Sequence, residues 1–262
     1  FSQYGGGGIQ LEGGGAVLRE NRILSNTAAA GGGVYADACV EFYGNVLSNN
    51  QAAEGGGLYL GYSSDASSLA GNHFIENVGG NGGGIYLSSA DEIDLANNVI
   101  TRNQALLNGS GLYVRYGSAE LAHTTIAQND GGDGVGIYVA DDGTARLFNT
   151  ILVSQTVGAY AFGEGQVILN STLWHGNGTD WAGDGTIDHI NDVRGDPAFM
   201  NPAGGDYHIH FFSAAVDRGV DAGVAVDIDG EPRPIGLRAD LGADEFPLPV
   251  QMLFFPIVTR QA

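Results

Sequence analysis

Asp94, Glu120 and Arg146 follow one another at intervals of 26 residues, and each immediately precedes a leucine. Two carboxylates and a guanidinium on one line are the groups with which a polysaccharide lyase or glycoside hydrolase works. The carboxylates hold Ca²⁺ against a uronate or move a proton, and the cation sits near the reacting carbon. The plainer reading is a solvated ladder of charges in which one arginine offsets two acids. Glu41 and Ser68 fall in the same column without extending the pattern.

Asp227-Ile228-Asp229-Gly230-Glu231 spaces oxygen ligands like the opening of a calcium loop, so Asp227, Asp229 and Glu231 are the candidate metal ligands and Ca²⁺ the candidate ion. The position of a twelfth, bidentate ligand holds Arg238 rather than Glu, and a turn closed by Asx hydrogen bonds accounts for the same residues. The six histidines show no zinc spacing, although His208 and His210 alternate around Ile209. No Gly-x-Ser-x-Gly elbow, phosphate-binding loop or dinucleotide fingerprint occurs. A third candidate surface is a series of tyrosines, Tyr35, Tyr59, Tyr86, Tyr113, Tyr138 and, more loosely, Tyr160. Exposed in register, such rings form either a stiffening stack or a flat platform for sugars or another protein.

These residues are positioned by a repeat. Each tyrosine follows Gly-aliphatic, as in Gly84-Ile85-Tyr86, and the glycines of the series (Gly8, Gly33, Gly57, Gly84, Gly111, Gly136, Gly158) lie 25, 24, 27, 27, 25 and 22 residues apart. A second motif keeps the same phase, from Asn21-Arg22-Ile23-Leu24-Ser25-Asn26 to Thr124-Thr125-Ile126-Ala127-Gln128-Asn129. A third is the apolar column Leu18, Phe42, Leu69, Leu95, Leu121, Leu147, Leu169. Three short apolar spots per period describe one coil of a solenoid. Helical repeats are excluded by 44 glycines, each costing a helix interior about 1 kcal/mol. The expected fold is all-β: a right-handed single-stranded parallel β-helix with three strands per coil. In Gly84-Ile85-Tyr86-Leu87 the aliphatic residues point inward and the tyrosine outward. Asn26, Asn50, Asn77, Asn103 and Asn129, at equivalent corners, should form a hydrogen-bonded ladder.

The net charge of −20, from 10 Lys+Arg against 30 Asp+Glu, argues against nucleic-acid and anionic-membrane partners. Cys39, the one cysteine, rules out an intramolecular disulfide and reads as a small core residue. No apolar run is long enough for a transmembrane helix. Residues 1–190 read as the helical array, 191–246 as a small C-terminal β cap of different character, and 247–262 as an apolar tail whose prolines exclude a helix. The first coil carries no capping segment within the sequence. An open first edge, with Phe1 and Ile9, and an apolar tail, with Leu253, Phe254, Phe255 and Ile257, suggest end-to-end pairing of copies into filaments.

Asp196-Pro197-Ala198-Phe199, Gly205-Asp206-Tyr207-His208-Ile209, Asp227-Ile228-Asp229-Gly230-Glu231-Pro232-Arg233-Pro234 and Asp240-Leu241-Gly242-Ala243-Asp244-Glu245-Phe246 resemble the choice-of-anchor Q module that closes bacterial secreted right-handed β-helix proteins. Ala214, Arg218 and Asp244 depart from its usual Pro, Ala and Tyr. The glycine and asparagine motifs are similar to repeats of chlamydial polymorphic outer-membrane proteins. The resemblance implies export and a secreted, cell-surface location, mostly without an assigned activity. The expected function is therefore a non-catalytic structural or adhesive β-helix. A lyase or hydrolase of acidic polysaccharide using Asp94, Glu120 and Arg146, and a glycan-binding module using the tyrosines, are the alternatives.

Overall fold

The structure is a computed structural model that describes residues 5–62, 67–88 and 93–247. Phe1, Leu253, Phe254, Phe255 and Ile257 lie outside the described residues. The chain winds into an all-β parallel solenoid of about seven turns. Its first face is an eight-stranded sheet among the described residues, running from Ile9–Glu12 through Val34–Asp37, Leu58–Leu60, Ile85–Ser88 and onward to Thr179–Gly183. Face two begins with Ala16–Arg19 and Val40–Tyr43, and face three with Arg22–Leu24 and Val46–Ser48. In later coils the two run together, as in Thr144–Val153 and Gln166–His175.

Stacking is parallel and in register. Leu18 pairs with Phe42, then Leu69, Leu95, Leu121, Leu147 and Leu169 in turn, all buried in one continuous core. From this column the corner asparagine follows at a constant eight residues, from Leu18 to Asn26 through Leu121 to Asn129. Gln155 and Asn177 keep the interval after Leu147 and Leu169. What makes the interval rigid is a pair of left-handed corners. Glu20, Gly44, Gly71, Asn97, His123, Asn149 and Ser171 all have positive φ between faces two and three, as do Ser25, Asn49, Glu76, Arg102, Gln128, Ser154 and Gly176 at the far end of face three. The residue that takes the left-handed conformation is thus the one before each ladder asparagine. That frees the asparagine itself to point inward.

There the ladder expected from the sequence forms. Asn50 Nδ2 donates to Asn77 Oδ1, Asn77 to Asn103 and Asn103 to Asn129, each at 3.0 Å, while the second Nδ2 hydrogen goes to a carbonyl of the preceding coil, Ile23, Leu47 and Phe74 in turn. Gln155 accepts from the Asn129 backbone N–H and continues the series. A second ladder runs parallel at the other corner, Asn21 to Asn45 to Asn72 to Asn98, at 3.0–3.1 Å. Buried Thr124, Thr150 and Thr172 take over that column in later coils. Burying so many amides costs little because each asparagine is satisfied by its neighbour; at the end of the series Gln155 Nε2 is buried without a partner among the described residues.

The ladder also explains the glycines. A Cβ on Gly84 would lie 2.7 Å from the Gly111 carbonyl and 3.0 Å from Asn103 Nδ2, so the two sequence motifs meet in space. Gly82, two residues earlier, bends the chain with a φ of 63°.

After Val193–Arg194 the chain leaves the solenoid. The small β unit is the antiparallel pair Phe199–Asn201 and Asp206–Ile209. It lies, with the loops that follow, along the flank of the coils on the outer side of face three. Tyr207, Ile209, Ala215, Leu241 and Ala243 pack against Val99, Ala127, Ile151, Val153 and Leu173. Cys39 sits in the bend between Val34–Asp37 and Val40–Tyr43 and is half-exposed, not part of the core, because it falls outside the alternating strand positions that face inward.

Candidate functional site

The charged column is where the spacing puts it. Asp94 pairs with Glu120 and Glu120 with Arg146 in the face-two register, and Ser68 and Glu41 continue the line. All three candidate residues are exposed, because they alternate with the inward leucines. The column runs on from Arg146 through Ile168 to Asp188 and from Glu41 to Val17, so the three charges on successive coils stand between Ser68 and Ile168.

The tyrosines form an unbroken stack from Tyr35 to Tyr160. Successive ring centroids are 4.9, 5.3, 5.0, 5.2 and 5.1 Å apart and the planes lie within 5–14° of parallel. Each internal ring therefore has both faces covered by its neighbours. Tyr86 is only 3% exposed and Tyr113 8%, although both lie outside the solenoid core. Desolvation raises the phenol pKa of Tyr59 and Tyr86 and carries those of Tyr113 and Tyr138 up to about 12, so these hydroxyls stay protonated. Arg115 lies on the edge of the stack and donates to Asp141 Oδ2 at 2.7 Å.

Asp227, Asp229 and Glu231 do not converge as a calcium loop. Asp227 is buried, and its Oδ1 accepts the backbone N–H groups of Asp229 and Glu231 at 2.9 and 2.8 Å, while Oδ2 accepts that of Glu245 at 3.0 Å. Its carboxylate is fully used in closing the turn. Asp229 instead turns to His208, whose Nε2 lies 2.7 Å from Asp229 Oδ2, with Asp206 Oδ1 at 2.5 Å from Nδ1. Burial lowers the His208 pKa, but the Asp206 and Asp229 hydrogen bonds outweigh it and carry the value to about 9.

The residues that sequence reasoning missed are those that dock the C-terminal unit. Three of them occupy one left-handed corner column: Asn97, His123 and Asn149. Asn97 Nδ2 donates to the Val226 carbonyl at 2.7 Å, and Asn149 exchanges two hydrogen bonds of 2.8 Å with the Val220 backbone. His123 Nδ1 donates to the Asp240 carbonyl at 3.1 Å and Nε2 accepts from Asn149 Nδ2 at 2.9 Å, which fixes a neutral imidazole. Burial, and then the charge of Arg233, push its pKa down to about 3. Behind it, Arg233 and Glu245 form an ion pair at 2.8 Å with side chains 1% exposed. Glu245 also accepts the N–H groups of Ile235 and Asp240, and Arg233 donates to the Gly242 carbonyl at 2.9 Å. Charges buried this deeply hold a fold only when every partner is present. In earlier coils the same column holds Glu20, Gly44 and Gly71, so the change to hydrogen-bonding residues at 97, 123 and 149 is the signal that could have revealed the contact.

A cleft of about 750 Å³ opens beside this contact, lined by His123, Val220, Asp221, Arg233, Leu237 and Arg238 among others. Its one imidazole is neutral and already bonded at both nitrogens, and its one carboxylate, Asp221, accepts the Gly223 N–H at 3.0 Å.

Stacked coils with inward aliphatic columns, amide ladders and a ring stack define a parallel β-helix protein. The family model described as the right handed beta helix region matches residues 1–151, and the chain belongs to that family. No curated protein and no solved structure matches the chain. Among the described residues, no helix is long and apolar enough to cross a membrane.

Proposed function

We propose that this protein is a non-catalytic structural or adhesive β-helix, exported to the surface of a bacterial cell. The observation that carries this reading is the six-ring tyrosine stack, whose regularity is spent on neighbouring coils. Ring faces that bind sugars must be open, and here each internal face is covered by another ring whose centroid lies 4.9–5.3 Å away. The repeat therefore invests its most regular outward residues in stiffness, the property a rod or spacer needs. End-to-end assembly is the form this role takes in the proposal. Among the described residues Thr179–Gly183, the last strand of the first face, has a strand partner on one side only, and such an edge is a template for another chain. Negative-stain electron microscopy beside light scattering tests it: filaments or end-to-end arrays are expected, and monomers at all concentrations would remove the assembly part of the reading.

A second reading, cleavage of acidic polysaccharide, is favoured by one observation, the alignment of Asp94, Glu120 and Arg146 on three successive coils. Measured against polyuronates with and without Ca²⁺, turnover that Glu120→Ala abolishes would establish this second reading in place of the first.

A further inference from the structure

The one group of three His, Cys, Asp or Glu side chains with metal-binding separations among the described residues is none of those picked out by spacing. A ring nitrogen of His208 and one carboxylate oxygen each of Asp229 and Asp244 lie within 4.8 Å of one another. They come from three separate segments: the strand Asp206–Ile209, the turn closed by Asp227, and the last described stretch of the chain. We propose that these three side chains form a divalent-cation site, of the imidazole-plus-carboxylate type that takes Zn²⁺, which ties together three segments of the C-terminal unit.

Four features support a built site over a chance meeting of charges. Asp206 accepts the Nδ1 proton of His208, the carboxylate–imidazole arrangement that orients a ligating histidine and leaves Nε2 for the ion. Asp244 is a carboxylate only 6% exposed, and the single hydrogen bond it accepts among the described residues is from the Ile209 N–H at 2.7 Å. A buried carboxylate with spare acceptor capacity is costly unless a cation meets it. A cavity of about 40 Å³ adjoins the group, lined by His73, Val99, Tyr207, His208, Ile228 and Asp244, among others. It has room for the ion's remaining water. Lastly, the geometry lies within reach. Ligand bonds of about 2.1 Å at a tetrahedral angle separate two ligand atoms by roughly 3.4 Å, so the 2.7 Å gap between His208 Nε2 and Asp229 must widen by about 0.7 Å. Asp229 is exposed and free to make that movement. In the metal-free protein a proton occupies the position between these two atoms, and the cation displaces it.

The test is calorimetric titration of Zn²⁺ into the full chain after chelator treatment, with Ca²⁺ and Mg²⁺ for comparison. One Zn²⁺ per chain is expected, with affinity falling at least tenfold in His208→Gln and in Asp244→Asn, and with Ca²⁺ and Mg²⁺ binding far more weakly. Asp229→Asn, at an exposed position that leaves the fold intact, should show the same loss and so covers the case in which Asp244→Asn does not fold. Co²⁺ substituted for Zn²⁺ should give a visible absorption spectrum that His208→Gln abolishes. Unchanged Zn²⁺ affinity in His208→Gln, or the same affinity in Asp229→Asn as in the parent, would overturn the assignment, as would binding that needs millimolar Zn²⁺.

Discussion

Replacing Asn77 by alanine separates ladder energetics from generic packing loss. Asn77 is fully buried and makes four side-chain hydrogen bonds. Its Oδ1 accepts from Asn50 N and Asn50 Nδ2, both at 3.0 Å, and its Nδ2 donates to Asn103 Oδ1 at 3.0 Å and to the Leu47 carbonyl at 2.8 Å. The Asn103 oxygen keeps the Asn77 backbone N–H, so it is not orphaned. The two Asn50 donors lose their common acceptor in a space without water. At about 1–3 kcal/mol for each buried group left unpaired, the loss is about 4 kcal/mol. Asn26 occupies the equivalent corner of the first coil, is half-exposed, and makes ladder bonds only to the coil after it, beside one from its Nδ2 to the Leu24 carbonyl at 3.2 Å. Asn26→Ala should therefore cost about 1 kcal/mol. Because solenoid coils open semi-independently, the comparison is best made by hydrogen exchange at the Asn50 amide alongside urea unfolding. Asn77→Asp adds a check of sign. The carboxylate keeps the acceptor but loses both donated bonds and buries a charge, so burial raises its folded pKa and the variant should lose stability as pH rises above the ordinary carboxylate range. Equal losses at Asn77 and Asn26, or an Asn77→Asp protein that gains stability with pH, would refute the ladder argument.

Two further outcomes follow from the flank contact and the ring stack. His123 has a folded pKa of about 3 against about 6.5 unfolded. Between those values the unfolded chain binds the extra proton, so stability is lost as pH falls, by about 1.4 kcal/mol per pH unit once below the unfolded value. His123→Asn, a residue the same left-handed column already uses at 97 and 149, should flatten this component. The comparison is made by urea midpoints from pH 7 to pH 4, set against the opposite drift from Asp240, which burial raises to about 7. An identical slope in parent and variant would show that the imidazole does not control docking. In the stack, Tyr113→Phe keeps both ring contacts and should cost under about 0.5 kcal/mol, whereas Tyr113→Ala loses two stacked neighbours and most of a buried ring, about 3 kcal/mol in all. Thermal unfolding distinguishes them, and comparable losses would place the energy in the hydroxyl.

The coil was legible in the sequence because stacking forces every structural demand to recur at a fixed interval. The leucine column, the tyrosines and the asparagine corners are each a vertical line in the structure and a period in the chain. The candidate charged column was legible for the same reason. Two things were not. One is the corner geometry: the left-handed conformation that asparagine favours is taken by the residue before it, a difference of one position that turns the amide from the surface into the interior. The C-terminal contacts follow no period, since they join residues such as Asn97 and Val226 that are 129 positions apart. Nothing local in Asp206, Asp229 or Asp244 announces that one histidine gathers them.

A column-by-column reading nevertheless contains the trace of that contact. In the first coil Arg22-Ile23-Leu24 alternates exposed, buried, exposed, as a strand with one solvated face should. Three coils later Val99-Ile100-Thr101 is buried throughout, and so are Thr125-Ile126-Ala127 and Ile151-Leu152-Val153. An outward position that changes from arginine to valine and isoleucine along one face cannot face water without cost, about 25 cal/mol for each Å² of apolar surface left exposed. Something must cover it, and the hydrogen-bonding residues at 97, 123 and 149 beside it state what kind of surface arrives: one rich in backbone carbonyls and N–H groups, which loops provide and a second solenoid face does not. The C-terminal unit meets both demands at once, with Tyr207, Ile209, Leu241 and Ala243 on the apolar strip and the Val220, Val226 and Asp240 backbones on the polar column. The middle coils are thereby tied to a segment more than a hundred residues away, so their opening is coupled in a way that the one-dimensional stacking of the first coils is not.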